Sequence, residues 1–529
     1  MGIARYEYTE GSSSKFWQIE LSGSSFTTTH GRIGTGGSTL AKTWPDAATA
    51  KKEHDKLVAQ KTKKGYELVS GGSSSTKAAA KPVAAPKIAK ATATKTRAAA
   101  PPAGAGGSYN AALAKVVDAD PDDAGAWAVY ADWLQSQGDP RGELGAVQER
   151  LRAQPKDKAL LSAEKKLLKD HAAQIVGELA KYMTREGKPG LPGVTTKPDL
   201  EPDFRSTNDA VAPIRVQWRS GFLSQVFVGH PGYDWSPARK KGCGADDDEE
   251  GGGDDAGGSD DLDMPKLVLE ILATPAARFL SSLRIGMPNS GEDGECFYAP
   301  LVKKLAGHEA LGRLRSLYFG DITQEESECS WIELGDLSKL YPSLKKLRSL
   351  TLRGGSGLKL GSIALPELRE LTIITGGLDK KNVASICAAK WPKLESLELW
   401  FGSRNYGANT TVKDFAAILS GKPFPKLKHL GIRNCELADE VAALLPSSAI
   451  VKQLDTLDLS KGTLTEAGVK SLADGKASLA HLRRLDLSDN FIGKASTLAS
   501  TICKAVRTRP QRTADDYDGV PHRYTALGE

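Results

Sequence analysis

Apolar positions in the C-terminal half of the chain fall into one recurring phrase, leucine-x-x-leucine-x-leucine. It runs Leu314-Leu317-Phe319, Leu347-Leu350-Leu352, Leu368-Leu371-Ile373, Leu394-Leu397-Leu399, Leu427-Leu430-Ile432, Leu454-Leu457-Leu459 and Leu482-Leu485-Leu487. The period-two end of each phrase predicts a short strand, with leucines on one face and the intervening residues on the other. Helical stretches follow several strands. One strand–turn–helix unit cannot bury its apolar face, but a stack of them shares a continuous core. Leu280-Leu283-Ile285 supplies an earlier strand after a helix from Pro265 to Ala273, and residues 211–230 open the array with Val216–Trp218 and Phe222–Val228. Such a stack offers a long recognition face and no inherent catalytic pocket.

The N-terminal part has other rhythms. Lys15–Leu21 alternates apolar and polar residues as a half-buried strand does, Gly23 offers a turn, and β-branched Phe26–His30 reads as the partner strand. A glycine-rich turn or bulge is expected from Gly31 to Gly37, and Asp46 caps a helix with Ala50, Leu57 and Val58 on its stripe. Residues 70–107 hold six basic residues, no acidic one and no aromatic, which predicts a disordered Lys/Ala/Pro linker. Residues 108–185 read as helical. Trp127, Tyr130, Ala131 and Leu134 share a stripe, Gly138 closes that helix, and Asp139-Pro140 starts the next. Asp122, Asp123 and Asp132 invite a metal or acid–base reading, but a helix N-cap and first turn account for the first two.

Three resemblances follow from these residues. Phe16-Trp17, then His30-Gly31-Arg32-Ile33-Gly34-Thr35, then Lys64-Gly65-Tyr66 resemble the WGR domain of poly(ADP-ribose) polymerases and molybdate-regulator-like bacterial proteins. The defining tryptophan of that domain is His30 here, while Gly31 and Arg32 carry over by position. In the DNA-dependent polymerases the tryptophan packs on the sugar of a DNA end and the arginine reaches the backbone. The resemblance therefore implies nucleic-acid contact through His30, Gly31 and Arg32, and one basic side with Arg32 and Lys42 would favour that contact. Tyr130–Leu134 with Gly138–Glu143, and later Leu168–His171 and Trp218–Phe222, resemble the repeat-companion domain found beside tandem repeats in bacteria, which brings no enzymatic activity. The array itself resembles leucine-rich repeats of the ribonuclease-inhibitor type, best at Leu454–Leu472 and Leu482–Ile492. Asn490 fits that family's turn asparagine, a position several other units lack.

The fold class expected is thus multidomain α+β and α/β: a WGR-like domain (1–69), the basic linker (70–107), a helical domain (108–185), a solenoid with parallel strands inside and helices outside (211–510), and a C-terminal tail (511–529). The solenoid carries an acidic insertion, 236–262, expected to be disordered.

Charge sharpens this picture. The net charge is +6, yet residues 1–107 hold 16 Lys/Arg against 7 Asp/Glu, while residues 246–263 hold ten Asp/Glu and no Lys or Arg. The basic end suits polyanion contact, and the acidic run suits solvation or intramolecular competition. The acidic run lacks the spacing of a calcium loop. None of the six cysteines forms a C-x-x-C pair, which suggests small buried residues in a reducing cytoplasm. No membrane span or secretory signal is expected. Phosphate-loop, H-E-x-x-H and G-x-S-x-G motifs are absent from the sequence. The expectation is a non-enzyme with no cofactor and no metal.

Alternation along the strands sends Tyr318, Arg353, Glu398, Trp400, His429, Arg433, Asp458 and Arg484 to the concave face. Trp400 and Tyr318 are its aromatics and Arg353 and Arg433 its candidate anchors, because Trp, Tyr and Arg dominate interface hot spots. The bland alternative has Trp400 packing on its neighbours or on the Gly402–Gly407 loop. Mixed charge on this face favours a protein partner, and residues 1–107 supply a competing nucleic-acid role.

Overall fold

A computed structural model describes residues 3–10, 13–33, 38–43, 46–63, 66–71, 108–185, 188–189, 214–229, 263–288, 296–323, 327–517 and 520–528. The linker beyond residue 71 and the acidic insertion lie outside the described residues, as does most of the expected Gly31–Gly37 turn. The chain divides into two units, Met1–Arg97 and Ala98–Glu529.

The first unit is one five-stranded antiparallel sheet with a helix. Its strands are β1 (Ala4–Glu10), β2 (Ser13–Ser22), β3 (Ser25–Arg32) and β4 (Ser38–Thr43); after α1 (Ala47–Lys63) comes β5 (Glu67–Gly71). Sheet order is β4-β3-β2-β1-β5. Gly23, at φ 58°, makes the β2–β3 turn in a region that a side chain disfavours. Tyr6, Trp17, Ile19 and Phe26 form the core, with Val58 and Tyr66 packed against it. Asp46 accepts from the Thr49 backbone at 2.7 Å and caps α1. The expected turn starts later than Gly31: β3 continues through Gly31 and Arg32, which pair with Phe16 and Lys15. The cause is β2, whose backbone begins at Ser13 and offers partners beyond residue 30.

The second unit begins with five helices, α2 (Ala111–Ala119), α3 (Ala124–Ser136), α4 (Pro140–Ala153), α5 (Lys158–Asp170) and α6 (Ala172–Val176). Asn110, Asp123, Asp139 and Asp157 cap the first four through side-chain oxygens, so the carboxylate of Asp123 is explained by its helix. The helices pack on a hairpin of β6 (Ile214–Arg219) and β7 (Phe222–Val228). Phe222 sits among Trp127, Tyr130 and Phe279, with ring centroids 4.8 to 6.0 Å away. The approach is close: a Cβ on Gly221, at φ 82°, would meet the Arg141 carbonyl oxygen at 2.3 Å. Arg141, buried, donates to the Pro275 carbonyl at 2.8 Å and pairs with Asp139.

From that hairpin one sheet grows in strict chain order. After α7 (Met264–Ala273) come β8 (Ser282–Ile285), α8 (Ala299–Leu305), β9 (Ser316–Phe319), β10 (Ser349–Arg353), β11 (Glu370–Ile374), α9 (Lys380–Ala388), β12 (Ser396–Gly402) and α10 (Phe415–Leu419). Next are β13 (His429–Cys435), α11 (Ala438–Leu444), β14 (Thr456–Asp458), α12 (Glu466–Asp474), β15 (Arg484–Asp486) and, at the far edge, β16 (Val506–Arg507). All eleven strands lie in one sheet, parallel except for the β6–β7 hairpin. Leu317, Leu350, Leu371, Leu397, Leu430, Leu457 and Leu485 stand in register. They are buried in one core with the inward residues of α7 to α12.

Two repeats depart from the strand–helix expectation. Between β9 and β10, and again between β10 and β11, no α-helix occurs among the described residues; the first span uses the 3-10 turns Cys329–Trp331 and Ser338–Ser343 instead. Pro342 and the glycines at 354, 355, 357 and 361 disfavour a regular helix there. Turn satisfaction also changes along the stack. Asn490 donates to the Leu459, Leu487 and Ser488 carbonyls and accepts from Leu464 N. Near β8 the buried Tyr298 hydroxyl takes that job, donating toward the Gly286 and Ile285 carbonyls and accepting from Gly320 N at 2.8 Å.

Residues 511–517 and 520–528 turn back over the strand ends. Arg512 bonds the Gly462 and Asp489 carbonyls. Ala526 N donates to Lys461 O at 3.0 Å. Asn434, in the left-handed region at φ 51°, accepts from Leu527 N and donates to Leu527 O. No helix among the described residues is long and apolar enough to cross a membrane.

Candidate recognition surface

The face of the sheet opposite the leucines carries the intervening strand residues. Its centre is a cluster on β12, β13 and the β14 end. Trp400 Nε1 donates to Glu398 Oε1 at 2.8 Å, and the Arg433 guanidinium lies 4.6 Å over the Trp400 ring. Arg433 donates to Glu398 Oε1 at 2.7 Å and to Ser460 Oγ at 3.0 Å, with Asp458 Oδ2 at 3.5 Å. Lys461 Nζ lies 5.8 Å from the same ring and pairs with Asp489 at 3.0 Å. His429 Nδ1 sits 2.7 Å from Thr456 Oγ1, with Nε2 3.9 Å from Glu398. Parallel register explains the assembly, since Trp400 stands directly beside Arg433 and His429 beside Thr456.

The electrostatics follow from half-burial. Burial pushes the Glu398 carboxyl up, but the His429, Arg433 and Trp400 contacts outweigh it and hold the group at about 2. Asp458 goes the other way: burial raises it, the Arg433 charge only partly offsets this, and Asp486 adds to the rise. Burial works against the Arg433 charge, yet Asp458 and Glu398 raise its affinity for the proton. One guanidinium thus serves two carboxylates and an indole.

The structure brings together five of the eight expected face residues: Glu398, Trp400, His429, Arg433 and Asp458. Tyr318 stands three strands away and meets the Arg284 guanidinium at 5.2 Å. Arg353 donates to the Ile322 carbonyl, and Arg484 stays exposed, 3.5 Å from Asp486. Trp400 therefore packs on its cross-strand neighbours rather than standing alone. Ser460 and Lys461 were missed because they follow the last leucine of their phrase, outside the alternating stretch. Lys461 has φ 67°, which no periodicity reveals.

The four N-terminal candidates lie on β3 and β4. His30 pairs with Trp17 and Ser38, Arg32 with Lys15, and Lys42 with Phe26. His30 and Lys42 are thus four positions apart along the sheet, ~13 Å at ~3.3 Å per residue.

Among the described residues, no group of three or more His, Cys, Asp or Glu is placed to hold a metal ion. Burial pushes the Cys435 thiol up to about 12 and Cys387 to about 11, which keeps both protonated.

No curated protein matches the chain. A crystal structure of a Bacteroides fragilis protein aligns over 100% of both chains at 20% identity, with a TM-score of 0.45. The family model for the WGR domain matches residues 4–73, the stretch whose described residues form the five-stranded sheet and its helix. Residues 4–73 are a WGR domain.

Proposed function

We propose that this chain is a non-enzymatic recognition protein. Its second unit is read as a leucine-rich-repeat solenoid that binds a protein partner on the concave face, with the WGR domain as a second contact. The observation that carries the reading is the Trp400–Arg433–Glu398 cluster, an aromatic and an arginine tied to one carboxylate by hydrogen bonds at mid-sheet. Interface energy concentrates in such residues, and rigidity lowers the entropy cost of binding. The cytoplasmic setting and the absence of catalysis belong to the same proposal.

The test is a photocrosslinking residue at Thr372, next to the cluster, in the full chain inside its native host. A crosslinked protein should then bind the purified chain, with Trp400→Ala and Arg433→Ala each weakening it at least about tenfold. Binding that ignores both changes sinks the proposal. The second reading, nucleic-acid contact through residues 1–107, is favoured by their 16 Lys/Arg against 7 Asp/Glu and by the WGR match. Arg32→Ala in a duplex-end binding assay tests it.

A further inference from the structure

The N-terminal ends of the parallel strands form a surface unlike the mixed face just described. Backbone hydrogen bonds link its rungs in sequence: Arg348 N to Arg315 O, Arg369 N to Arg348 O, Glu395 N to Arg369 O, Lys428 N to Glu395 O, Asp455 N to Lys428 O and Arg483 N to Asp455 O. Each of these residues follows the first leucine of its phrase. The residues just before and just after that leucine, over seven phrases, comprise nine Lys/Arg and three Asp/Glu. Lys346, Arg348, Arg369, Lys428 and Arg483 are exposed.

Rungs of a sheet stand ~4.8 Å apart, less than the ~8 Å Debye length at physiological salt, so adjacent cations repel one another with little screening. Two local pairs relieve part of this, Arg369 with Glu395 at 2.9 Å and Lys393 with Glu367 at 2.7 Å. Lys346, Arg348, Lys428 and Arg483 have no ion-pair partner among the described residues. At the β9 end the edge runs into a cavity of about 70 Å³ lined by Arg219, Arg313, Arg315 and Lys346, with Asp118 as its carboxylate. Arg313 there is partly buried and feels the Arg278 charge, both of which lower its hold on the proton. An incoming oxyanion would offset both by pairing with the guanidinium.

We infer that this edge, with the cavity at its β9 end, binds the phosphodiester backbone of a nucleic acid. Two features select that class over an acidic protein. The cations are strung along seven rungs, six spacings or ~29 Å, with Glu395 and Asp455 between them, rather than gathered in a patch. None of the residues flanking the first leucine of a phrase is Trp, Tyr, Phe or Leu, so the edge itself offers no apolar anchor of the kind a protein interface needs; the exposed Tyr109 lies off its β9 end, against Arg278. Contacts of this kind position a backbone without reading bases. The edge is distinct from the Trp400 face, so its test does not depend on the protein-partner reading.

The experiment uses the full chain and a duplex of roughly two helical turns, with affinity measured across a salt series. One variant carries Arg348→Gln, Lys428→Gln and Arg483→Gln; a control removes equal charge with Lys381→Gln, Lys413→Gln and Lys470→Gln. The edge variant should flatten the slope of log K against log salt by about 2 to 3, near 0.9 for each phosphate no longer neutralised, and weaken binding at least about tenfold. The control should change neither. In the wild-type chain, duplex should also shield Lys346 and Lys428 from acetylation and leave Lys381 and Lys470 reactive, a readout that needs no variant to fold. Equal behaviour of the two variants, no duplex binding, or shielding by poly-glutamate but not by duplex overturns the inference.

Discussion

Replacing Arg433 with methionine keeps much of the stem that covers Trp400 and deletes the charge. It removes the bond of 2.7 Å to Glu398, the bond of 3.0 Å to Ser460 and the attraction to Asp458, leaving two carboxylates over a part-buried floor. Glu398 at about 2, against an ordinary 4.5, represents roughly 3 kcal/mol at ~1.36 kcal/mol per pKa unit, shared among Arg433, His429 and Trp400. Breaking a fully buried pair costs about 3 to 5 kcal/mol, and these side chains keep 19% exposure, so the expected loss is about 2 to 3 kcal/mol at pH 7. Urea unfolding followed by circular dichroism reads it as a lower midpoint. The pH dependence has a definite sign. Because the folded value of Glu398 lies below its unfolded one, its stabilisation is complete above about pH 4.5 and drains as the pH falls toward 2. Asp458, raised in the fold, is destabilising at neutral pH and is relieved by acid. Without Arg433 both carboxyls rise, so the deficit is greatest at neutral pH and shrinks as the pH falls toward about 2, the folded value of Glu398. A deficit below about 0.5 kcal/mol at pH 7, or one equally large at pH 3, would falsify the assignment of Arg433 as the shared counter-charge.

Two further outcomes follow. Tyr298→Phe strips the hydroxyl that accepts from Gly320 N and bonds the Gly286 carbonyl, leaving buried backbone groups unpaired; the second unit should lose about 1 to 3 kcal/mol in the same urea assay. Gly221→Ala drives a Cβ into the Arg141 carbonyl at a positive φ, and should loosen the α2–α6 helices from the hairpin, seen as faster amide exchange across α3 and α4.

How much of this was readable beforehand depended on periodicity. The leucine phrases fix register, so Leu317 beside Leu350 and Trp400 beside Arg433 follow from aligning them. Helix caps were equally plain, because Asp123, Asp139 and Asp46 are short acceptors just before helical stripes. The lack of an α-helix among the described residues after β9 and β10 was hidden, since one spacing between phrases fits either an α-helix or 3-10 turns. In the WGR domain, β1 and β5 went unread: their pairing is settled by distant partners, as Tyr6 with both Trp17 and Leu68 shows. The cationic edge was in plain view, but alternation directs attention to the residue between the last two leucines, not to the one after the first. Aligning the seven phrases by that column would have exposed it.

The returning segment changes how the stack can come apart. In a linear array each repeat is held only by its neighbours, so opening can begin at the end and travel inward one repeat at a time. Here Arg512, Ala526 and Leu527 clasp the turns at Asp489, Gly462, Lys461 and Asn434 together. Freeing the last strand therefore requires several turns to let go at once. The far end behaves as a latch rather than a fraying hem, and repeats from β13 onward should open as one cooperative block in hydrogen exchange.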